Sequence, residues 1–293
     1  MHKAGFVNIV GNPNVGKSTL MNQLVGEKLS IATFKAQTTR HRIMGIVNTE
    51  DTQIVFSDTP GVLKPNYKMQ EMMLLFSESA LADADILLYV TDVVEDPEKN
   101  MDFLEKVSKM SIPVILLINK IDESDQKTLG KLVTKWHGLL PNAEILPISA
   151  KNKFGVDILL KRVHELLPES PAFFDKDQLT DKPAKFFVSE IIREKILRYY
   201  DKEIPYSVEV VVERFKEDDR QIHISAIIYV ERSSQKGIII GHQGMALKKV
   251  STEARKSLER FFDKKIFLET FVKVDKDWRN SQKELKHFGY SPE

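Results

Sequence analysis

Between residues 5 and 167 the chain alternates short apolar runs with stretches whose apolar residues recur at helical spacing. Residues 6–10, 53–56, 114–118 and 144–148 have the length and continuity of buried strands, while 19–25 and 159–167 show the period of amphipathic helices. Strands alternating with helices predict an α/β unit on a doubly wound, mostly parallel sheet covered on both faces. The pattern then stops. Pro168-Glu169-Ser170-Pro171 opens a polar stretch that runs to Asp181-Lys182-Pro183 without periodicity, the composition of a linker. The boundaries read from this are a first domain over 1–167, a linker over 168–184 and a second domain over 185–293.

The second domain has a different rhythm. A helix is predicted over 188–200, then two alternating β-branched runs over 207–215 and 221–231, joined by the polar turn 216–220 as a hairpin. Ile238-Ile239-Ile240 leads into Gly241-His242-Gln243-Gly244. An amphipathic helix over 245–262, a third strand over 265–274 and a last helix over 278–287 follow. No internal repeat or low-complexity tract interrupts either domain.

Chemistry enters at the ends of the first domain's strands. Gly11-Asn12-Pro13-Asn14-Val15-Gly16-Lys17-Ser18 lies between a strand and the helix that opens with Thr19, the G-x-x-x-x-G-K-[ST] pattern in its strand–loop–helix setting. Its glycines let backbone N–H groups and the helix N-terminus surround a phosphate. Lys17 is placed to reach the β- and γ-phosphates and Ser18 to bind Mg2+. This loop alone leaves adenine and guanine open. Asp58-Thr59-Pro60-Gly61, Asn119-Lys120-Ile121-Asp122 and Ser149-Ala150-Lys151 each follow a strand, and loops at the carboxyl ends of such strands converge on one ligand. Asp58 is then a candidate for the Mg2+ shell and the Gly61 N–H for the γ-phosphate. Asp122 can accept from N1–H and the 2-amino group of guanine, a pair that adenine lacks. Asn119 is expected at the base edge, Lys120 along the ring plane and the Ala150 N–H at O6. The predicted pair is GTP as substrate and GDP as product.

Composition bounds the remaining classes. The 293 residues, 42% hydrophobic and 29% charged, suit a two-domain globular protein of the cytoplasm. There is no cysteine, which excludes disulfides, thiolate metal sites and a cysteine nucleophile. No signal peptide is expected, because the first strand begins almost at once. The apolar runs fall short of the roughly 20 residues that a bilayer span needs. Net charge is +1, unevenly placed: residues 1–183 carry 21 basic and 24 acidic side chains, residues 184–293 carry 22 and 18, and from Arg232 onward the count is 14 to 8. An anionic partner for the second half fits this asymmetry, and so does a solvated lysine-rich helix face.

The nucleotide motifs, in this order, resemble those of translation-factor-class GTPases. That resemblance implies that Thr38-Thr39-Arg40 is the first switch and that Thr39 closes on Mg2+ and the γ-phosphate. Lys17, Thr39 and Gly61 become the catalytic candidates. The Gly-x-x-Gly turn between two helices, followed by Lys248, Lys249, Arg255 and Lys256, resembles the KH RNA-binding module in its type II α+β arrangement. Such a turn clamps a short stretch of RNA backbone, because glycines allow an approach that a Cβ would block. Ile240, Gly241, His242, Gln243, Gly244, Lys248 and Lys249 are the candidate contacts, with His242 and Gln243 also readable as solvated turn residues.

From end to end the chain is similar to the bacterial Era family. The similarity includes Lys35-Ala36-Gln37-Thr38-Thr39-Arg40-His41, Leu179-Thr180-Asp181-Lys182-Pro183, Glu190-Ile191-Ile192-Arg193-Glu194-Lys195 and Glu203-Ile204-Pro205-Tyr206-Ser207. It implies a monomeric switch that binds 16S rRNA near its 3′ end and matures the 30S subunit, with part of the protein on the cytoplasmic face of the membrane. Where Ras-like enzymes place a water-orienting glutamine after the DxxG glycine, this chain has Val62. Val62 reads either as a packing residue or as a sign of slow intrinsic hydrolysis that needs RNA or a cation. In related GTPases an asparagine at the place of Asn14 binds K+, which would stabilise transition-state charge; Asn14 reads equally as a turn residue. Two other functions stay open: a tRNA-modification GTPase, whose usual carboxy-terminal cysteine is missing here, and a non-catalytic RNA clamp with GTP as a structural ligand.

Overall fold

The strand β1 (Lys3–Gly11) is buried at every position from Val7 to Gly11 and is the middle of a six-stranded sheet. The computed structural model describes residues 1–291, which divide into two units between Asp181 and Lys182, except that Tyr67–Met69 group with the second. In the first unit β1 is followed by α1 (Lys17–Val25), β2 (Ile43–Asn48), β3 (Thr52–Asp58), α2 (Lys68–Ala82) and β4 (Ile86–Asp92). Then come α3 (Met101–Ser108), β5 (Val114–Asn119), α4 (Gln126–Leu139), β6 (Glu144–Pro147) and α5 (Val156–Leu166). The sheet order is β2-β3-β1-β4-β5-β6, and every pairing but β2 with β3 is parallel. β3 and β4 are buried at all positions, as strands covered on both faces must be. The order of connection reverses beside β1, so a crevice opens beyond its carboxyl end.

The antiparallel edge strand β2 is the element that apolar runs do not reveal. It is short and is interrupted by Gly45, where a Cβ would stand 2.6 Å from Met21 Cε of α1. The glycine lets α1 lie directly on the strand, and that close packing leaves no mark in a hydropathy pattern.

The stretch expected as a linker is bound along most of its length to this first unit. Leu179 O accepts from Ile46 N at 2.8 Å, and Thr180 Oγ1 donates to Met44 O at 2.7 Å. The buried side chain of Gln53 accepts from the N–H groups of Phe173 and Phe174 and donates to Phe174 O. Residues 168–181 therefore form a strap that crosses the starts of β1 and β3 and ends along the open edge of β2. Covering an edge strand in this way blocks unwanted pairing.

The second unit contains α6 (Ala184–Tyr199), β7 (Val208–Glu217), β8 (Gln221–Val230), α7 (Ser233–Ile240), α8 (Met245–Phe262), β9 (Lys265–Val274) and α9 (Gln282–His287). β7 and β8 form the expected hairpin, and β9 joins β8 in parallel. A parallel neighbour needs a crossover, which α7 and α8 supply. Val188, Ile192 and Ile196 of α6 lie on one face and pack in a core with Val210, Ile224, Ile228, Val250, Ala254 and Leu258. Two expected boundaries move. α6 starts at Ala184, four residues before the first residue of the helix expected over 188–200, directly after the extended Pro183. The helix expected over 278–287 is broken: Trp278–Asn280 is a 3-10 turn, and the Ser281 hydroxyl caps a new helix by accepting from Glu284 N at 3.3 Å.

Candidate functional sites

The crevice beyond β1 is a cleft of about 460 Å³. Pro13, Asn14, Gly16, Lys17, Ser18, Thr19, Thr39 and Gly61 line one part of it; Asn119, Lys120, Asp122, Ser149, Ala150 and Lys151 line the other. The phosphate loop owes its path to backbone geometry. Gly11 has φ +144°, and a Cβ there would stand 2.1 Å from Val90 O; Gly16 has φ +99°. Asn14 also adopts a positive φ of 68°, which asparagine tolerates better than most side chains, so its turn role is visible. Asn12 and Val15 are buried beneath the loop. Lys17 is buried and donates to Gly11 O at 3.0 Å and Asn12 O at 2.8 Å. Burial lowers its pKa to about 8 against the opposing fields of Asp58 and Glu95, and a polyanion beside Nζ would raise it again.

Below the loop three oxygens converge. Ser18 Oγ and Thr39 Oγ1 are 2.8 Å apart, and Thr39 Oγ1 donates to Asp58 Oδ2 at 3.3 Å. Asp58 is fully buried, and its Oδ1 has no hydrogen-bond partner among the described residues. Burial pushes its carboxyl above the ordinary carboxylate range, opposed by Lys17 and by the nearby hydroxyls of Ser18, Ser30 and Thr39. An orphaned carboxylate oxygen with two hydroxyls is a donor set that fits Mg2+, which binds through few carboxylates and takes phosphate oxygens for the rest. No group of three acidic or imidazole side chains among the described residues could hold a metal alone, so the cation would come with the nucleotide. Thr59 and Pro60 hold the loop instead of lining the cleft. Thr59 Oγ1 donates to Ile9 O at 2.7 Å, and Pro60 O accepts from Ser77 Oγ of α2 at 2.8 Å. Gly61 lies against Pro13, where a Cβ would be 2.6 Å from the proline backbone.

Val62 is buried with Val10, Ala80 and Leu87, so the side chain after Gly61 is a packing residue that does not line the cleft. The base-side loops differ in part from expectation. Asn119 lines the cleft and also binds protein: Nδ2 donates one hydrogen to Val15 O at 2.8 Å, and Oδ1 accepts from Ala150 N at 2.9 Å. It is a brace between the phosphate loop and the 149–151 loop, and the Ala150 N–H expected at O6 is engaged by it. Lys120, with φ 61°, lays its stem along the cleft and pairs its Nζ with Asp92 Oδ2 at 2.5 Å. Asp122 is exposed, and Ser149 Oγ donates to its Oδ1 at 2.6 Å. That bond holds its carboxyl below the usual range, so the group is an ionised acceptor. Asp92 and Asn100 escape sequence reading. Asn100 Nδ2 donates to Asn12 Oδ1 and to Val62 O, but it comes from a loop with no motif of its own.

In the second unit Ile240 ends α7, and Gly241 and Gly244 have φ +70° and +74°. A Cβ on Gly241 would stand 2.6 Å from Ala246 Cβ, whereas Gly244 faces open space. His242 and Gln243 are exposed at the tip, Gln243 with φ 49°. Lys248 and Lys249 are exposed near the start of α8, with Lys249 Nζ 4.4 Å over the Tyr199 ring. Tyr200, also missed in the sequence, fixes the turn's entry by donating its hydroxyl to Ile239 O at 2.7 Å.

Known proteins resemble both units. A family model described as "50S ribosome-binding GTPase" matches residues 6–120, and a KH domain model matches residues 203–279. The GTPase Era of Geobacter sp. (strain M21) is 47% identical over 290 residues, 98% of each chain. That of Clostridium kluyveri is 44% identical over 292 residues, 99% of this chain and all of the relative. The chain belongs to the Era family of GTPases. Among solved structures, Era in complex with MgGDPNP and nucleotides 1506–1542 of 16S ribosomal RNA superimposes with a TM-score of 0.95, at 37% identity and full coverage of both chains. An Aquifex aeolicus Era variant bound to GDP·AlF4− gives 0.94, also at 37% identity, over 99% of this chain and all of that one. The α/β nucleotide unit and the KH unit are thus those of an Era GTPase.

The two ends of the cleft should respond differently to substitution. Asp122→Asn loses a carboxylate acceptor and gains a donor, so binding should move from GTP toward xanthosine triphosphate, a mismatch of about 1–3 kcal/mol. Asn119→Ala unties two loops and should weaken both nucleotides without exchanging them. Competition titrations with the two triphosphates separate these outcomes.

Proposed function

We propose that this chain is a GTP-hydrolysing switch that binds 16S rRNA near its 3′ end through the 241–244 turn and promotes maturation of the 30S subunit. The observation that carries the reading is Thr39, held by both Ser18 and Asp58 at the foot of the cleft. The loop bearing Thr39 can then respond to what the cleft holds, in a chain that also carries a Gly-x-x-Gly turn. Similarity over the full length to an Era solved with MgGDPNP and 16S rRNA nucleotides supports the assignment of ligand and RNA. The family model that names the 50S particle covers only the nucleotide half and so bears on no RNA.

In hydrolysis, Lys17 and the phosphate-loop N–H groups stabilise charge on the transferring phosphoryl group, and the Gly61 N–H meets the γ-phosphate. Mg2+ held by Ser18, Thr39 and Asp58 would neutralise further charge on the β- and γ-phosphates. Val62 cannot orient water, so intrinsic turnover is slow in this reading, and RNA, and K+ held at Asn14, would raise it. No helix among the described residues is long and apolar enough to cross a membrane, so any association with the cytoplasmic membrane face is peripheral in this reading.

RNA binding is tested at Gly244, because an added Cβ there meets no atom within 4 Å and aspartate tolerates its φ of +74° better than most residues. Gly244→Asp places a negative charge against phosphate and should abolish binding of the 16S 3′-end fragment and its stimulation of turnover. GTP affinity without RNA should stay unchanged. Normal RNA binding by the folded variant contradicts the KH assignment.

The cation role is tested separately. Turnover should rise when K+ replaces Na+ at constant ionic strength, and Asn14→Gly, which keeps the positive φ, should remove the difference. Equal rates of the parent in both salts contradict the K+ assignment and leave the GTPase intact.

A further inference from the structure

Arg42 stands three residues after Thr39, at the exit of the loop that Thr39 closes, yet no nucleotide motif includes it. Its side chain is 11% exposed and makes four hydrogen bonds to three separate pieces of the first unit. Nε donates to Ser57 Oγ at 2.9 Å, the residue directly before the buried Asp58. One terminal nitrogen donates to Asp83 Oδ2 at 2.7 Å, and the other to Asp83 Oδ1 at 3.0 Å and Asn8 Oδ1 at 3.2 Å. Asn8 is buried in β1, and its Nδ2 donates to Asp83 Oδ1 and to Ala80 O, both at 2.7 Å.

Asp83 directly follows α2, and α2 is tied through Ser77 to Pro60 O in the Asp58–Gly61 loop. The guanidinium thus joins the exit of the first switch loop to the strand that carries Asp58 and to the far end of the helix behind Gly61. A bidentate arginine–carboxylate pair is strong and directional. Three residues span at most about 10 Å, so fixing Arg42 leaves Thr39 a short tether.

We propose that Arg42 is a positioning residue for the triphosphate-bound arrangement, acting through Asp83 to hold Thr39 over the γ-phosphate and Mg2+. The inference rests on the GTPase reading above. GDP has no γ-phosphate for Thr39 to meet, so its binding does not depend on the loop exit in this way. A residue that merely holds the fold would affect both nucleotides alike.

The experiment is a titration of GDPNP and of GDP, both with Mg2+, into the parent, Arg42→Gln, Asp83→Asn and the double variant. Each single variant should weaken GDPNP by about tenfold while leaving GDP within about twofold, and the double variant should be no weaker than Arg42→Gln, because paired residues are not additive. Equal weakening of both nucleotides, no change in either, or multiplied losses in the double variant would overturn the inference. If Arg42→Gln does not fold, Asp83→Asn decides alone, since its carboxylate is 46% exposed. A parent that binds GDP and GDPNP while the variants show no selectivity defeats this inference only. A parent that binds neither defeats the GTPase reading and the inference with it.

Discussion

A buried carboxylate with one oxygen unpaired is the constraint around which the first unit is organised. Asp58 lies at zero exposure at the end of β3, with Lys17 also buried above it. Two opposite charges withdrawn from water are costly unless each is fully coordinated. Protein groups meet that need only in part: Ser18 and Thr39 reach the carboxylate, and Lys17 leans on backbone carbonyls. A triphosphate with its cation would satisfy both. The affinity of the cleft for that ligand is therefore set by what burial leaves undone, and Thr39 ties loop closure to the same unmet demand.

The base end works on another basis. Asp122 is exposed and held ionised by Ser149, so it offers an acceptor to donors on a ligand instead of relieving internal strain. Asn119 connects the two ends, because a single amide joins the phosphate loop to the 149–151 loop. In the KH unit neither kind of chemistry is needed. Its turn offers positive φ angles, open space at Gly244 and exposed lysines nearby, which suits phosphate contacts that give affinity and register without reading bases.

The phosphate loop was legible in the sequence because its chemistry is carried by backbone, and backbone requires glycine and lysine at fixed offsets. The KH order was legible because β-branched alternation and the long amphipathic period of 245–262 are strong signals. For Asn119, spacing gives its place at the cleft but not its bonds to Val15 O and Ala150 N, because those depend on how two loops distant in sequence meet. Asn100, Asp92 and Arg42 were invisible because each acts on residues far away in the chain. The strap over 168–181 reads as a linker because its scattered bonds to β1, Gln53 and β2 impose no side-chain period. The break at Ser281 was lost for a related reason, since a capping serine inside a periodic stretch resembles any polar position.

The orphaned oxygen of buried Asp58 calls for a cation that arrives with the nucleotide. The most direct test of this demand is GDPNP affinity with and without Mg2+, in the parent and in Asp58→Asn. Removal of Mg2+ should weaken binding strongly in the parent and hardly further in the variant, because the buried charge that calls for the cation is gone. The same Mg2+ dependence in both proteins would contradict it.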